Sequence, residues 1–464
     1  MTLKNIGENL LEFWNDFKLE KIGIVGLAII LLSLVIIVFE PLISPYPEAS
    51  DRWNDLYYWH NLPRNAPPAW TNLFAAQKAA ETQVIKDFDL IDFERDGKKG
   101  KRFILSYDYG YDVNPRDLLF EADNKGRFEL KIALTRPDER VVELYNQAIS
   151  DDDIRVSVHN DCASTTFDWL RKSGFESQAN INRAMNRLDP AQLLYLVAKQ
   201  NTTRELPSLK GRYTATIEFL ALESGSTVGN IKMTQVGRVH GLLGTDNSKH
   251  DLVSGIIAGL KWAMIIGLSI AIVSIVIGVV YGVVMAYYGG WVDSIMNTIF
   301  EIFSNMPTLP LLIVVSAVYK ISLGTLIVTM IVFGWTGPVK LVRSIALAYK
   351  EETFIEAAKA LGASHSRIIF KHLLPLLIPY SFSMMSMAVP GAILSEASLA
   401  LLGLGDPLIV TWGKILNGAG QGAAANGLWW QIIPPGLCIA IMGAAFAFIG
   451  FSMDKILHPK LRTR

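Results

Sequence analysis

A lipid bilayer demands roughly 20 consecutive apolar residues from any helix that crosses it, and this chain meets that demand repeatedly. The first run extends from Ile22 to Ile43 and is interrupted only by Glu40 and Pro41 near its end. The second goes from about Leu252 to Tyr288. It is longer than one crossing needs, so part of it is expected as an interfacial helix or a tilted extension. The third runs from about Ile295 to Tyr319 and contains Pro307 and Pro310, the fourth from Leu323 to Val342. The fifth begins near Ile368 and continues to about Leu404, with Pro375, Pro379 and Pro390 inside it, and the sixth is Trp430 to Phe451, opened by Pro434-Pro435. Prolines bend or break a crossing where neighbouring helices can satisfy the freed carbonyls. Pro307, Pro310 and Pro390 are therefore candidates for bends that line a pore, and equally for bends that only improve packing.

Six crossings place both ends of the chain on one side. Lys18 and Lys21 precede the first run, Lys340 and Arg343 end the fourth, and Lys455, Lys460, Arg462 and Arg464 follow the last. The excess of Lys and Arg on cytoplasmic segments gives one self-consistent orientation, with N- and C-termini cytoplasmic and the chain multi-pass in the cell membrane. A basic residue before the first run is also a feature of signal peptides. The run is too long for one, however, and Ser44-Pro45-Tyr46-Pro47 is a poor cleavage site, so an uncleaved anchor is expected.

Composition agrees with a membrane protein. Mean hydropathy is +0.30, and 36 glycines suit helices packed closely in lipid. The formal net charge of zero lacks the basic field that nucleic-acid binding requires. The two cysteines, Cys162 and Cys438, fall in a polar stretch and a late apolar run, which argues against a disulfide or a metal cluster. Ionisable residues within the apolar runs are few. Glu301 and Glu396 are candidates for a polar pathway, although both stand close to the ends of their runs. That scarcity weighs against an ion-coupled carrier, which needs a binding site near the midplane.

Residues 48–240 contain no apolar run of membrane length, and 28 of the 43 acidic residues lie there. In the orientation above this stretch is extracytoplasmic, and it is large enough for a domain with its own core. Phe103–Tyr107, Phe128–Ile132, Ile154–Val158 and Thr214–Leu222 alternate as strands do, whereas segments near 139–149 and 189–199 read as helices. A mixed α+β domain is expected. Asn201-Thr202-Thr203 fits the N-glycosylation pattern, a short pattern that recurs by chance. Asp151-Asp152-Asp153 reads as a solvated turn, since the spaced carboxylates of a calcium loop do not accompany it.

The sharpest signal is the loop at 351–367, between the fourth and fifth runs. The first half of this loop reads as an amphipathic helix with Ala357, Ala358 and Leu361 at helical spacing and Gly362 as a C-cap or a point of close contact. A short helix with small side chains in a cytosolic loop can be held in a partner's groove. Glu356 can supply a fixed polar contact there or help cap the helix. The bland alternative is a surface helix that only links two crossings.

The spacing of Glu356-Ala357-Ala358, Gly362 and Leu374-Pro375 resembles the Glu-Ala-Ala coupling motif of importer permeases of the ATP-binding cassette class. The departure is His372, which stands at the usual aliphatic position. Further stretches are similar to dipeptide and oligopeptide permeases of the DppC/OppC type: His240–Asp251, Tyr287–Asp293, Glu396–Gly405, Trp412-Gly413, Trp429-Trp430 with Pro434-Pro435-Gly436, and Asp454–Leu461. Where that type has Gly-Arg before the final aspartate of the first stretch, this chain has Lys249-His250. The resemblance covers residues 1–70 and 240–464. Pro67-Pro68-Ala69-Trp70 resembles the residues that directly precede the His240 stretch in that family, so about 170 residues, 71–240, are an insertion the family pattern does not explain.

What the resemblance implies is an all-α polytopic protein with the six-helix fold of a type I importer permease and an inserted extracytoplasmic α+β domain. The implied organisation is residues 1–47 as N-terminus and first helix, 48–240 as inserted domain, and 241–464 as permease core. It implies transport of dipeptides or oligopeptides, with related systems carrying oligosaccharides or nickel. The implied partners are a second homologous permease (DppB/OppB-like), two ATPases (DppD/DppF-like), an extracellular substrate-binding protein and membrane lipid. Glu356, Ala357, Ala358, Leu361, Gly362 and Pro375 carry the coupling role. No cofactor is expected on this chain; ATP and Mg belong to the ATPases. A phosphate-binding Gly-Lys-Ser/Thr loop and a nucleophile elbow are both missing from the sequence, which argues against an enzyme. A stand-alone carrier or channel is the contrasting reading, and it has no use for an ATPase-docking loop. Docking the binding protein, bracing the partner permease and shielding the pore mouth are all open roles for the insertion.

Overall fold

A computed structural model of the chain describes residues 14–150, 154–155, 159–172, 188–197, 208–318 and 322–457. Asn201, Asp151–Asp153, Lys460, Arg462 and Arg464 lie outside the described residues. The chain divides into two units. One comprises Met1–Asn54 with Val253–Arg464, the other Asp55–Leu252.

The first unit is helical. Its elements are α1 (Lys21–Val38), and, after the second unit, α3 (Leu252–Tyr288), α4 (Gly290–Ser304), α5 (Thr308–Val318), α6 (Leu323–Gly334), α7 (Val339–Lys350), α8 (Thr353–Ala360), α9 (His365–Leu401), α10 (Trp412–Ala425) and α11 (Ile433–Leu457). Among the described residues, four helices are long and apolar enough to cross a membrane: α1, α3, α9 and the span Trp429–Ile456, which contains most of α11. A fifth is formed if α6 and α7, bent by 46° at their junction, count as one crossing. The bend falls at Thr336-Gly337-Pro338, where proline cannot donate to the helical ladder. The third expected run is not one helix. It is broken around Asn305-Met306-Pro307, and neither α4 nor α5 reaches the length of a crossing alone.

Close packing in this unit follows small residues. A side chain on Gly26 of α1 would sit 2.4 Å from the Ala445 carbonyl of α11, and one on Gly278 of α3 would sit 2.3 Å from the carbonyl of Trp335. Backbones approach at these points because no Cβ intervenes, as in helix pairs within lipid. Lys455 of α11 forms an ion pair of 2.6 Å with Glu20, just before α1. These two helix ends therefore share one end of the unit.

The second unit is β-rich. Its strands are β1 (Gln83–Ile85), β2 (Asp89–Arg95), β3 (Lys98–Tyr109), β4 (Asp117–Lys125), β5 (Arg127–Thr135), β6 (Val141–Ser150), β7 (Ile154–Arg155), β8 (Gly211–Ala221) and β9 (Thr227–Val236), and a helix of 13 residues, α2 (Asn160–Lys172), lies among them. They form two antiparallel sheets, ordered β1-β9-β4-β7 and β2-β3-β8-β5-β6. The inward residues of both sheets meet in one core, with Leu118, Phe120, Ile231 and Met233 on one side and Phe103, Leu130, Ile132 and Ile217 on the other. Alternate residues of β5 and β8 are buried, as a sheet packed on one face requires. Several large buried polar side chains find partners, whereas Thr234 Oγ1 and Gln235 Nε2 are buried without a hydrogen bond among the described residues. Tyr107 and Tyr195 share a hydroxyl hydrogen bond of 2.6 Å, Tyr213 donates to the Leu209 carbonyl, and the guanidinium of Arg136 donates to Leu194 and Leu196 carbonyls and lies over Trp169.

Two expectations for this unit change. The segment near 139–149 is strand β6, not a helix. A bulge sets Ala133 opposite Glu143 and Ile132 opposite Tyr145, leaving Leu144 as the extra residue. Buried Val142, Tyr145 and Ile149 consequently fall three and four residues apart, a spacing that mimics a helix. Near 189–199, only Pro190–Leu193 is helical among the described residues, which reach 197 there. The real helix is α2, which buries Cys162, Thr166 and Leu170 at four-residue spacing and donates from Thr165 to the carbonyl of the bulged Leu144 at 2.8 Å. Cys162 and Cys438 are both free; burial pushes the Cys162 thiol up to about 12.

The two ends of the second unit are sewn together. His240 donates to the Pro67 carbonyl (3.0 Å) and Ala69 to the Gly241 carbonyl (2.9 Å). The Thr245 hydroxyl accepts from the Ala66 amide and donates to the Pro63 carbonyl. The chain thus leaves after Trp70 and returns at His240 at one place. Gly244 has φ of +77°, and a Cβ there would lie 2.3 Å from the Ala66 carbonyl. Gly244→Val is expected to cost at least about 1–2 kcal/mol from the left-handed backbone alone and to open this seam, seen as faster tryptic cleavage after Arg64 and Lys249. Unchanged cleavage would contradict the seam's role.

Candidate coupling site

Helix α8 forms because Ala357, Ala358 and Ala360 are the strongest helix formers available, with Glu356 in the first turn and Lys359 in the last to complement the helix dipole. It ends where Gly362 takes φ of +77°. The Ala363 amide bonds the Ala358 carbonyl and the Gly362 amide the Lys359 carbonyl, the paired bonds of a glycine C-cap. A Cβ on Gly362 would meet nothing within 4 Å. Of the two expected roles for Gly362, C-cap or close contact, the fold of this chain uses the first.

One side chain anchors α8. Ile355 is fully buried, at 0% exposure, in a cluster with Val283, Ala286, Val342, Ala346, Ile368 and Leu373. Burial of such a side chain is worth about 1.5–3 kcal/mol. The rest of the helix faces outward: Phe354, Glu356 and Ala357 are exposed, Ala358 is half-buried, and Leu361 is 89% exposed. The structure therefore gathers Glu356, Ala357, Ala358, Leu361 and Gly362 on one projecting turn. Pro375 stands apart from it, exposed near the start of the regular α-helical part of α9, which begins at Leu374. It follows a π-helical stretch, Ile368–Leu373. Proline at 375 has no amide to give the carbonyl of Lys371, so the regular ladder is interrupted there. His372, at the pattern's aliphatic position, is half-buried in that stretch.

Side chains that the sequence pattern does not mark tie the loop to the crossings. The Tyr287 hydroxyl meets His365 Nδ1 at 2.7 Å, joining the end of α3 to the start of α9. Lys350 Nζ donates to the Ala286 carbonyl at 3.1 Å, a cation at the C-terminus of α3. Arg343 of α7 grips Asp293 of α4 with two bonds of 2.7 and 2.5 Å, a bidentate geometry that holds orientation as well as distance. Tyr287 and Asp293 lie in a stretch that resembles the family and Ile355 and His365 in the 351–367 loop, but nothing in the sequence marks the contacts they make.

The remaining candidates are dispersed. Pro307 stands in the break between α4 and α5, Pro310 in the first turn of α5, and Pro390 inside α9. Glu301 is exposed on α4 and accepts from Asn297 at 2.8 Å. Glu396 is buried on α9, 5% exposed, and hydrogen-bonds the Thr411 side chain, which also caps α10. Among the described residues no group of His, Cys, Asp and Glu could hold a metal ion.

This arrangement, long apolar helices with a short exposed Ala-rich helix between two of them, is that of a polytopic membrane protein. Residues 274–463 match the model of the binding-protein-dependent transport system inner membrane component, and residues 10–68 that of the N-terminal TM domain of oligopeptide transport permease C. The chain is 35% identical over 220 residues to the dipeptide transport system permease protein DppC of Bacillus subtilis, covering 47% of this chain and 68% of that protein. It is 33% identical to the oligopeptide transport system permease protein OppC of the same organism, covering 47% and 72%. Among solved structures, the inward-facing MetNI methionine ABC transporter aligns at 19% identity with a TM-score of 0.35, over 45% of this chain and 97% of that one. The chain belongs to the family of binding-protein-dependent transport system inner membrane components, as a permease of the DppC/OppC type. Its part in such a system is that of the non-catalytic membrane subunit. Neither family model reaches residues 69–273, which hold all nine strands of the β-rich unit.

The C-cap generates a local prediction. Gly362→Val forces a left-handed backbone on a branched residue at a cost of about 1–2 kcal/mol, so exchange of the Gly362 and Ala363 amides, followed by hydrogen–deuterium exchange, should speed about tenfold. Unchanged protection would mean that the turn is held by something other than the cap.

Proposed function

We propose that this chain is one of two permease halves of an ATP-driven importer of dipeptides or oligopeptides in the cell membrane. It forms half of the translocation pore with a second, homologous permease. The exposed face of α8, with Glu356, Ala357, Ala358, Leu361 and Gly362, docks into one of two cytosolic ATPase subunits, and an extracellular binding protein delivers the substrate. ATP and Mg reside on the ATPases. The observation that carries this reading is the construction of α8. It is held by one buried side chain, Ile355, and presents small and apolar groups outward on a loop between two membrane crossings.

In this reading α4 and α5 together make the third of six crossings and the bent α6–α7 pair makes the fourth. Both termini and α8 are then cytoplasmic, and Asp55–Leu252 is extracytoplasmic. Support for a common end of the two terminal helices comes from the ion pair of Lys455 with Glu20, 2.6 Å long. The peptide class is taken from the substrates named for the DppC and OppC relatives. Closure of the ATPases would move α8, and the links from Tyr287 to His365 and from Lys350 to Ala286 would pass that motion to α3 and α9. A coupled switch of this kind needs two conformations whose populations nucleotide shifts.

In proteoliposomes holding the complete complex, Ala357→Trp leaves this chain folded, because position 357 is exposed. It should lower ATP-driven peptide uptake about tenfold or more, within the usual range of a coupling free energy, while the ATPase subunits keep basal hydrolysis. Uptake that stays proportional to hydrolysis in the variant would remove α8 from the coupling path.

A further inference from the structure

The β-rich unit carries a cleft that the import reading leaves unused. Its volume is about 640 Å³, and its lining includes Asp92 and Glu94 of β2, Lys99 and Lys101 of β3, Phe219 of β8 and Phe128 of β5, with Ser226–Val228 on the opposite wall. The register explains the layout. Asp92 pairs with Lys101, and Lys101 with Phe219, while Glu94 pairs with Lys99. Directly opposed residues in an antiparallel sheet share a face. Across that face the cleft thus runs from an acidic row on β2, through a basic row on β3, to an aromatic floor on β8 and β5.

The charges are available. Among the described residues no ion pair of 4 Å or less joins the two rows, although they are cross-strand neighbours. Asp92, Glu94 and Lys99 are exposed, and Lys101 Nζ is held at the cleft wall by one hydrogen bond to the Val228 carbonyl, 3.3 Å long, which leaves two of its protons free. Phe128 and Phe219 belong to the core, each 3% exposed, and pack edge-to-face with ring centroids 5.5 Å apart, so they give the cleft a rigid floor of small exposed area. The volume falls in the range of small-molecule sites, which pair apolar walls with a few placed polar groups.

A ligand that satisfies all three zones carries an ammonium for Asp92 and Glu94, a carboxylate for Lys99 and Lys101, and an apolar side chain for the phenylalanines. We propose that this cleft binds a free peptide of two or three residues through its charged ends, with an apolar side chain over Phe128 and Phe219. A polyanion is disfavoured by the acidic row and a polycation by the basic one. The proposal rests on the cleft alone and stands whether or not the chain imports peptides.

The test uses the full-length chain in lipid nanodiscs without partner subunits, titrated calorimetrically with the tripeptide Ala-Phe-Ala. Saturable binding is expected, weakened about tenfold or more when the peptide is N-acetylated and C-amidated, the loss of two charge-assisted contacts. Lys99→Glu should weaken binding of the free peptide similarly. The isosteric pair Asp92→Asn and Glu94→Gln tests the acidic row with the least risk to folding, and an unchanged melting transition verifies each variant. Equal binding of free and capped peptide, wild-type affinity in the verified variants, or no binding at millimolar peptide would each overturn the proposal. Loss of ATP-driven uptake in a complex whose cleft still binds would bear on the import reading only.

Discussion

Inside a bilayer no water is present to satisfy peptide groups, and the architecture of this chain follows from that one constraint. Every long apolar run in the described residues is helical, and every strand falls within Asp55–Leu252. Where a run is interrupted, at Pro307 or at Thr336-Gly337-Pro338, the interruption coincides with a residue that cannot donate to the helical ladder. An insertion of about 170 residues is tolerated by such a protein only if its two ends come back together, since crossings on either side must keep their packing. The seam of Pro67, Ala69, Gly241, Gly244 and Thr245 performs that closure by backbone hydrogen bonds and one central hydroxyl.

The loop at 351–367 has the opposite character. Its attachments are few but firm: α8 has Ile355 as its buried anchor, with Tyr287–His365 and Lys350–Ala286 as polar links nearby. The Arg343–Asp293 grip holds α7 to α4 beside it. The proposed transmission of ATPase motion is physically economical in this arrangement, because a displacement of α8 bears directly on the ends of α3 and α9. Phe354 and Leu361 are the exposed large apolar side chains of this turn, and the proposed docking would cover them.

Much of this was legible in the sequence. Run length and proline positions located the helices, and the spacing of Glu356-Ala357-Ala358, Gly362 and Leu374-Pro375 singled out the loop that the structure builds as a projecting turn. Alternation placed β3, β5 and β8. The errors have local causes. A bulge at Leu144 gave β6 a helical spacing of buried residues, and α2 escaped notice because its buried Cys162, Thr166 and Leu170 are only weakly apolar as a set. Contacts between residues far apart in sequence, such as Tyr287 with His365 or Arg343 with Asp293, leave no periodic trace and had to come from the fold. The division of the third apolar run into α4 and α5 was foreshadowed by Pro307, but a proline signals a bend without fixing its extent.

The central claim is that this chain works as one of two membrane subunits of an ATP-driven assembly, and it is tested most directly by isolating the chain from its own cell in a mild detergent and identifying by mass spectrometry what accompanies it. The account predicts recovery of two ATPase subunits and a second permease, with an extracellular binding protein when substrate is supplied. Recovery of the folded chain alone, under conditions that preserve other transport assemblies of the same membrane, would contradict it and point to a carrier or channel that acts by itself.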